Sequence, residues 1–307
     1  MPLQFRFAAV LALLSLGGVL ASLGEPNPDV SLSSVREIWA DVLRDADQVG
    51  YKVTRVPAVE EMRVGAEMHA AMSWGAADPE AERYVTAVGA RVLPYVRRHD
   101  IQYTFHVIDS PGVNAFALPG GHIYILGGML GFLQSESELA AILGHEMSHV
   151  DLRHCIERYQ YRIALRKVGA GDLGMLVDIV HDLVAIGYTQ YEELEADAQG
   201  ERLAVEAGYD PEAAARVFHR LQQAVGEQNP QPARTPIGEV AQSIGQAIGS
   251  YFQTHPSSHE RELRLSSEVA SNRRRLAGRT FYVGVKNYNE RVPRTEREYP
   301  DEKRSLP

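Results

Sequence analysis

Five residues near the middle of the chain, His145-Glu146-Met147-Ser148-His149, restrict what it can fold into more than anything else in it. They spell H-E-x-x-H, and the segment around them reads as a helix. Ser135-Glu136-Ser137-Glu138 has the Ser-x-x-Glu spacing of a capping box, and Leu139, Ile142, Leu143, Met147 and Val150 form an apolar stripe after it. Residues four apart on a helix differ by about 40° in direction and about 6 Å in height, so two imidazoles can reach one cation with the intervening carboxylate beside it. The stripe turns the other side of the helix into a core, which leaves His145 and His149 facing a cleft.

A catalytic zinc ion needs three protein ligands and an open position for water. The metzincin solution, a third histidine ten residues after the first, fails: position 155 is Cys, position 152 is Leu, and His154 is one residue off. The gluzincin solution is an acid on a second helix, and Tyr191-Glu192-Glu193-Leu194-Glu195-Ala196-Asp197 offers three. Glu193 is the best of them. It alone has an Asp four residues later on the same helical face, where Asp197 can accept a hydrogen bond from a ligand imidazole and fix its tautomer.

The rest of the chain predicts an α+β fold, mainly helical. Helical spacing covers 35–53, 58–72 and 80–96, then the period changes to alternation over 102–108. Asp109-Ser110-Pro111-Gly112 is a turn, and strands over 114–118 and 122–126 flank Pro119-Gly120-Gly121, giving a small antiparallel sheet beside the zinc-binding helix. The strand His122 to Leu126 is a candidate edge for pairing with an extended peptide. Helices resume at Ser135 and continue to about Tyr209. Within them 173–187 is apolar but carries Asp178, His181 and Asp182, which favours a packed helix over a membrane span. A loop is expected over 226–238, a helix over 257–270, and a charged, loosely packed C-terminal tail over 277–307.

Residues 1–24 read as a signal peptide, or failing cleavage an N-terminal anchor, because an uncharged run follows Arg6 and the first acid is Glu25. The domain carrying the zinc motif then covers 25–276. The expected location is therefore outside the cytoplasm, with membrane association possible only through the N-terminal segment. A formal net charge of −9 leaves no basic excess for a nucleic-acid backbone. Cys155 is the single cysteine, so no intramolecular disulfide can form.

Taken together, the motifs resemble the HtpX-like, BepA-like and CAAX-prenyl-protease-like zinc metallopeptidases. The resemblance is carried by Gly144 to His149 with His154 following, by Glu193-Leu194-Glu195-Ala196-Asp197, by Asn114-Ala115-Phe116-Ala117-Leu118-Pro119-Gly120-Gly121, and by Thr254-His255-Pro256 with Arg261. It implies a gluzincin fold, one zinc ion per chain held by His145, His149 and Glu193, and endopeptidase activity on polypeptides. It also implies an exported member, periplasmic or in the cell envelope, acting in protein quality control on unfolded or exposed segments. One departure is Thr189-Gln190, where the family often has Ser-Arg.

Under that resemblance Glu146 is the general base for a zinc-activated water. His255 and Arg261 are candidates to stabilise charge on the carbonyl oxygen, and the resemblance equally allows His255 as a fourth zinc ligand that holds the resting enzyme off. A rival class is a zinc-stabilised chaperone without proteolysis. Glu146 separates the two, since a structural site needs no base.

Overall fold

The structure, a computed structural model, describes residues 55–72, 78–167, 187–226, 251, 254–255 and 259–306. The readings made for 1–24, 35–53, 173–186 and 227–238 lie outside the described residues. In chain order the elements are α1 (Ala58–Ala71), α2 (Pro79–Val92), β1 (Thr104–Ile108), β2 (Ala115–Leu118), β3 (His122–Leu126), α3 (Gly127–Phe132), α4 (Glu136–Asp151), α5 (His154–Lys167), α6 (Gln190–Glu206), α7 (Ala213–Gly226), α8 (His259–Arg275), β4 (Thr280–Tyr282), α9 (Val285–Glu290) and β5 (Lys303–Ser305). The fold is α+β and mainly helical. None of the described helices is long and apolar enough to cross a membrane.

Local chemistry sets the element ends. Asp78 caps α2 by accepting from the backbone N–H groups of Glu80 and Ala81. Its buried face is Ala81, Tyr84, Val85, Val88 and Val92. The helical spacing runs on to Val96, but Pro94 has no N–H to give, and the chain tightens into a 3-10 turn at Leu93–Tyr95.

The main sheet has the order β1-β3-β2 and is mixed. The turn at Pro119–Gly121 folds β2 back on β3 as an antiparallel hairpin, with Gly120 at φ 80° and Gly121 at φ 94°, while β1 joins β3 in parallel. This corrects the edge assignment: β3 is paired on both sides, so no peptide can add to it, and the outer edge of β2, beside α4, has no strand partner among the described residues. Asn114 O accepts from Leu126 N at 3.0 Å, so alternation points the carbonyls of Ala115 and Ala117 outward.

At the centre lies α4, with all 16 of its residues buried. Ser135 caps it by accepting from Glu138 N. Its polar side is covered by α6, and two glycines let the helices touch there. A Cβ on Gly144 would sit 2.7 Å from Gly200 O, and one on Gly200 would sit 2.6 Å from His145 N.

The C-terminal segment also departs from expectation. β4 and β5 pair, and Tyr282 N donates to Gly208 O at 2.9 Å. Gly284 O and Val283 O accept from Glu136 N and Ser137 N, both at 3.0 Å, so this segment supplies acceptors to the first turn of α4. A few apolar residues anchor the charged stretch: Phe281, Tyr282, Tyr288 and Leu306 are all buried. Spread as they are, they make no periodic signal.

Candidate metal centre

His145, His149 and Glu193 are placed by helices that each have their own start signal. Thr189 and Glu192 form a reciprocal capping box that begins α6 and sets Glu193 one turn in, facing α4. Thr189, at the family's departure point, therefore fixes the helix start together with Glu192, a signal present in the sequence as Thr-x-x-Glu. Tyr251 O accepts from His255 N at 2.8 Å, and the Tyr251 ring stacks on that imidazole with centroids 4.8 Å apart.

His145, His149, Glu193 and His255 meet in one buried cluster, with one donor atom from each within 4.8 Å of the others. His145 Nε2 lies 3.1 Å from His149 Nε2 and 3.5 Å from Glu193 Oε2. His149 Nε2 is 3.6 Å from Glu193 Oε1. His255 Nδ1 is 2.9 Å from Glu193 Oε1 and 3.3 Å from His145 Nε2. Its other nitrogen reaches Ala115 O at 3.2 Å and Glu146 Oε1 at 3.4 Å.

Outer carboxylates orient both helix imidazoles. His145 Nδ1 is 3.0 Å from Asp197 Oδ1, so it carries the proton there and turns a bare Nε2 inward. For His149 the partner is His154, 3.0 Å away through Nδ1, and His154 Nε2 lies 3.4 Å from Glu195 Oε2. Protons passed outward along this chain leave His149 Nε2 bare as well. The Tyr188 ring lies flat on His149, at 3.5 Å and 8° between planes. The sequence places Asp197 in this role by its spacing from Glu193. Glu195, Tyr188 and Tyr251 are additions that spacing alone does not single out, and His154, one residue off a metzincin ligand position, is an outer partner of His149 instead.

Two inward lone pairs 3.1 Å apart repel one another, and a cation shared between them resolves the conflict. Three imidazoles and one carboxylate are a donor set suited to a borderline ion such as zinc. The residues present therefore fit a metal ion.

Arg261 is buried and fully engaged behind the cluster. Its Nε and one terminal nitrogen fork the two oxygens of Asp197 at 2.8 and 2.9 Å, and the other terminal nitrogen is 2.7 Å from Glu193 Oε2. Held there, it orders the carboxylates of α6 and has no arm turned to a substrate carbonyl.

The charges follow from this geometry. Burial pulls Glu193 upward, but Arg261, His255 and His145 outweigh it and its pKa is lowered. Asp197 follows the same pattern, with Arg261 the largest opposing charge, and stays ionised. Burial raises Glu146, against the pull of His255 and His145. Neither Glu146 oxygen accepts a hydrogen bond among the described residues, which makes it a buried acceptor aimed into the site. Burial, then the neighbouring histidines, hold His149 neutral.

Comparison with known proteins agrees with this chemistry. A mitochondrial metalloendopeptidase OMA1 of Schizosaccharomyces pombe is 31% identical over 185 residues, covering 58% of this chain and 50% of that protein. The beta-barrel assembly-enhancing protease of Yersinia pestis is 28% identical over 163 residues, covering 47% of this chain and 33% of that protein. A putative beta-barrel assembly-enhancing protease of Vibrio cholerae is 30% identical over 161 residues, with the same coverage. The chain thus spans half the length or less of these curated relatives. The sequence pattern described as peptidase family M48 matches residues 79–269, more than half of the chain and the whole stretch from α2 through α6 into α8. The chain belongs to peptidase family M48.

Proposed function

We propose that the chain is a zinc-dependent endopeptidase, with His145, His149 and Glu193 as metal ligands and Glu146 as general base. The observation that supports it most is the meeting of two H-E-x-x-H imidazoles with Glu193 around a buried, undonated Glu146. Zinc bound there supplies a Lewis acid that polarises the substrate carbonyl and brings the pKa of water towards about 7. Glu146 takes the proton from the attacking water and returns it to the departing amine. Its raised pKa suits this exchange, because a carboxylate with no donors gives its proton less readily and receives it more readily than one in water.

His255 in this reading is the fourth donor. It covers the position that water takes in the working enzyme, and its Nε2 holds the outward carbonyl of Ala115 on the free edge of β2. Withdrawal of His255 then frees the Ala115 carbonyl for an extended peptide and the position for water in one event, while Ala117 O stays against Cys155 Sγ. Pairing through backbone selects extended chain over compact protein, which supports unfolded or exposed segments as the substrate class.

An exported protein of the cell envelope acting in quality control is the setting we infer, on the N-terminal sequence and the beta-barrel assembly named for two of the relatives. The mitochondrial name of the third favours a membrane-bounded compartment without choosing this one. Purified wild type and Glu146→Gln are both expected to hold about one zinc in the cluster, with only the wild type cleaving unfolded casein. Equal cleavage by the two proteins, or no metal in either, refutes the assignment.

A further inference from the structure

A second set of histidines lies away from this centre, on the other part of the sheet. The parallel register pairs Thr104 with His122 and His106 with Tyr124, so these four side chains share one face of β1 and β3. That face is covered by α1, whose last turn carries His69. The helix is held close: a Cβ on Gly65 would fall 1.9 Å from Pro119 O and 3.1 Å from His122 Cδ2. His69, His106 and His122 are half-buried, and one nitrogen of each lies within 4.8 Å of the others.

The geometry points to a second metal site, formed by His69, His106 and His122, that takes a divalent transition cation of the zinc, copper(II) or nickel(II) class. Ligands about 2.05 Å from a tetrahedral zinc are about 3.3 Å apart. His122 Nδ1 and His106 Nε2 are already 3.5 Å apart. His69 completes the set by rotation of its ring about the Cβ–Cγ bond, since the three rings lie within 27° of parallel and lone pairs must converge.

The Thr104 hydroxyl bridges the two ligand nitrogens, 2.9 Å from both His106 Nε2 and His122 Nδ1, and turns aside where a cation takes its place, while the Tyr124 hydroxyl, 2.6 Å from His69 Nδ1, is an outer partner that leaves His69 Nε2 as the third donor. Burial, then the neighbouring imidazoles, lower His122 to about 4, so it is a neutral base at pH 7. The set has imidazoles and no carboxylate or thiolate, which selects borderline ions over calcium and magnesium. Its half-buried position leaves the fourth place to water. Bound metal would staple the last turn of α1 to β1 and β3.

The assignment does not depend on the peptidase reading, because it concerns different residues and its readout is metal content. The full chain is stripped with chelator, titrated with Zn²⁺, desalted and analysed for metal. About two ions per wild-type chain are expected, and about one in His145→Ala/His149→Ala, which lacks the first cluster. In that background, adding His69→Ala is expected to weaken the remaining site by at least the ~10-fold to 100-fold that loss of even an outer partner costs. His69 is at the end of a helix, so its truncation leaves the core intact, and thermal melting in chelator checks that it does. His106→Ala/His122→Ala in the same background is expected to abolish the site. A His145→Ala/His149→Ala protein that holds no zinc, or a titration unchanged by His69→Ala, overturns the second site.

Discussion

The contact between α4 and α6 gives the most demanding test, because helix propensity and packing predict opposite signs. Gly200→Ala in a helix interior is favoured by about 1 kcal/mol on propensity alone. Here the added Cβ would meet His145 N at 2.6 Å, His145 Cα at 2.8 Å and Gly144 C at 2.9 Å, all of them backbone. No side chain can swing aside, so the helices must separate by most of an ångström to reach ordinary contact. Overpacking costs about 1–3 kcal/mol, and a purely backbone clash belongs at the upper end. The net is a loss of about 2 kcal/mol, or about 4–8 °C in Tm for a domain of this size. Zinc should suffer too, since ligand distances tolerate about 0.2 Å and the movement divides His145 and His149 from Glu193. Differential scanning calorimetry with metal analysis of the same samples reads both effects. A variant that melts at or above the wild type and keeps its zinc refutes the close-contact argument.

Other outcomes follow from the same geometry. His255→Ala should raise cleavage of unfolded casein while zinc content holds, whereas a fall in kcat at constant zinc would assign His255 to the transition state instead. His154→Ala and Asp197→Asn should each weaken zinc by about 10-fold to 100-fold in competition with a chelator, because each orients one ligand imidazole; unchanged affinity would remove the outer chain from the site. Asp197 has its pKa depressed in the fold, so its stabilisation is fully present above the unfolded value of about 3.9 and is lost as pH falls through the lower folded one. Stability of the metal-free protein should therefore decline on acidification below about pH 4, with a shallower slope in Asp197→Asn; identical acid limbs would contradict the ion pair with Arg261. Burial pushes the Cys155 thiol up to about 12, so it should react with a disulfide reagent only as the protein unfolds. Fast labelling of the native chain would contradict its packing against Tyr188 and Ala117.

Much of this was legible because it is local. The Ser135 cap with the two histidines one turn apart lies within α4, and Glu193 with Asp197 one turn beyond lies within α6, so each spacing is that of a single helix whose geometry is known beforehand. What escaped was relational. Strand order decides that β1 and β2, not β3, are the edge strands, and a hairpin sequence reads the same wherever its neighbours lie. The staple of His69, His106 and His122 joins residues on three elements, none of which carries a metal-binding spacing of its own. The tail was read from its charges, although four buried apolar residues and a set of backbone bonds hold it.

Those backbone bonds bear on the order in which the molecule is assembled. The first N–H groups of α4 find their acceptors at Val283 and Gly284, and Glu136 beneath them is held by Tyr84, Tyr209 and the backbone of Arg294. A chain synthesised only as far as Arg275 already has every candidate ligand, yet lacks the acceptors that fasten the start of the helix carrying two of them. On the proposed function, hydrolytic competence is tied to the pairing of β4 with β5, and a chain that has not yet formed that pair carries the residues for cutting without the finished tool.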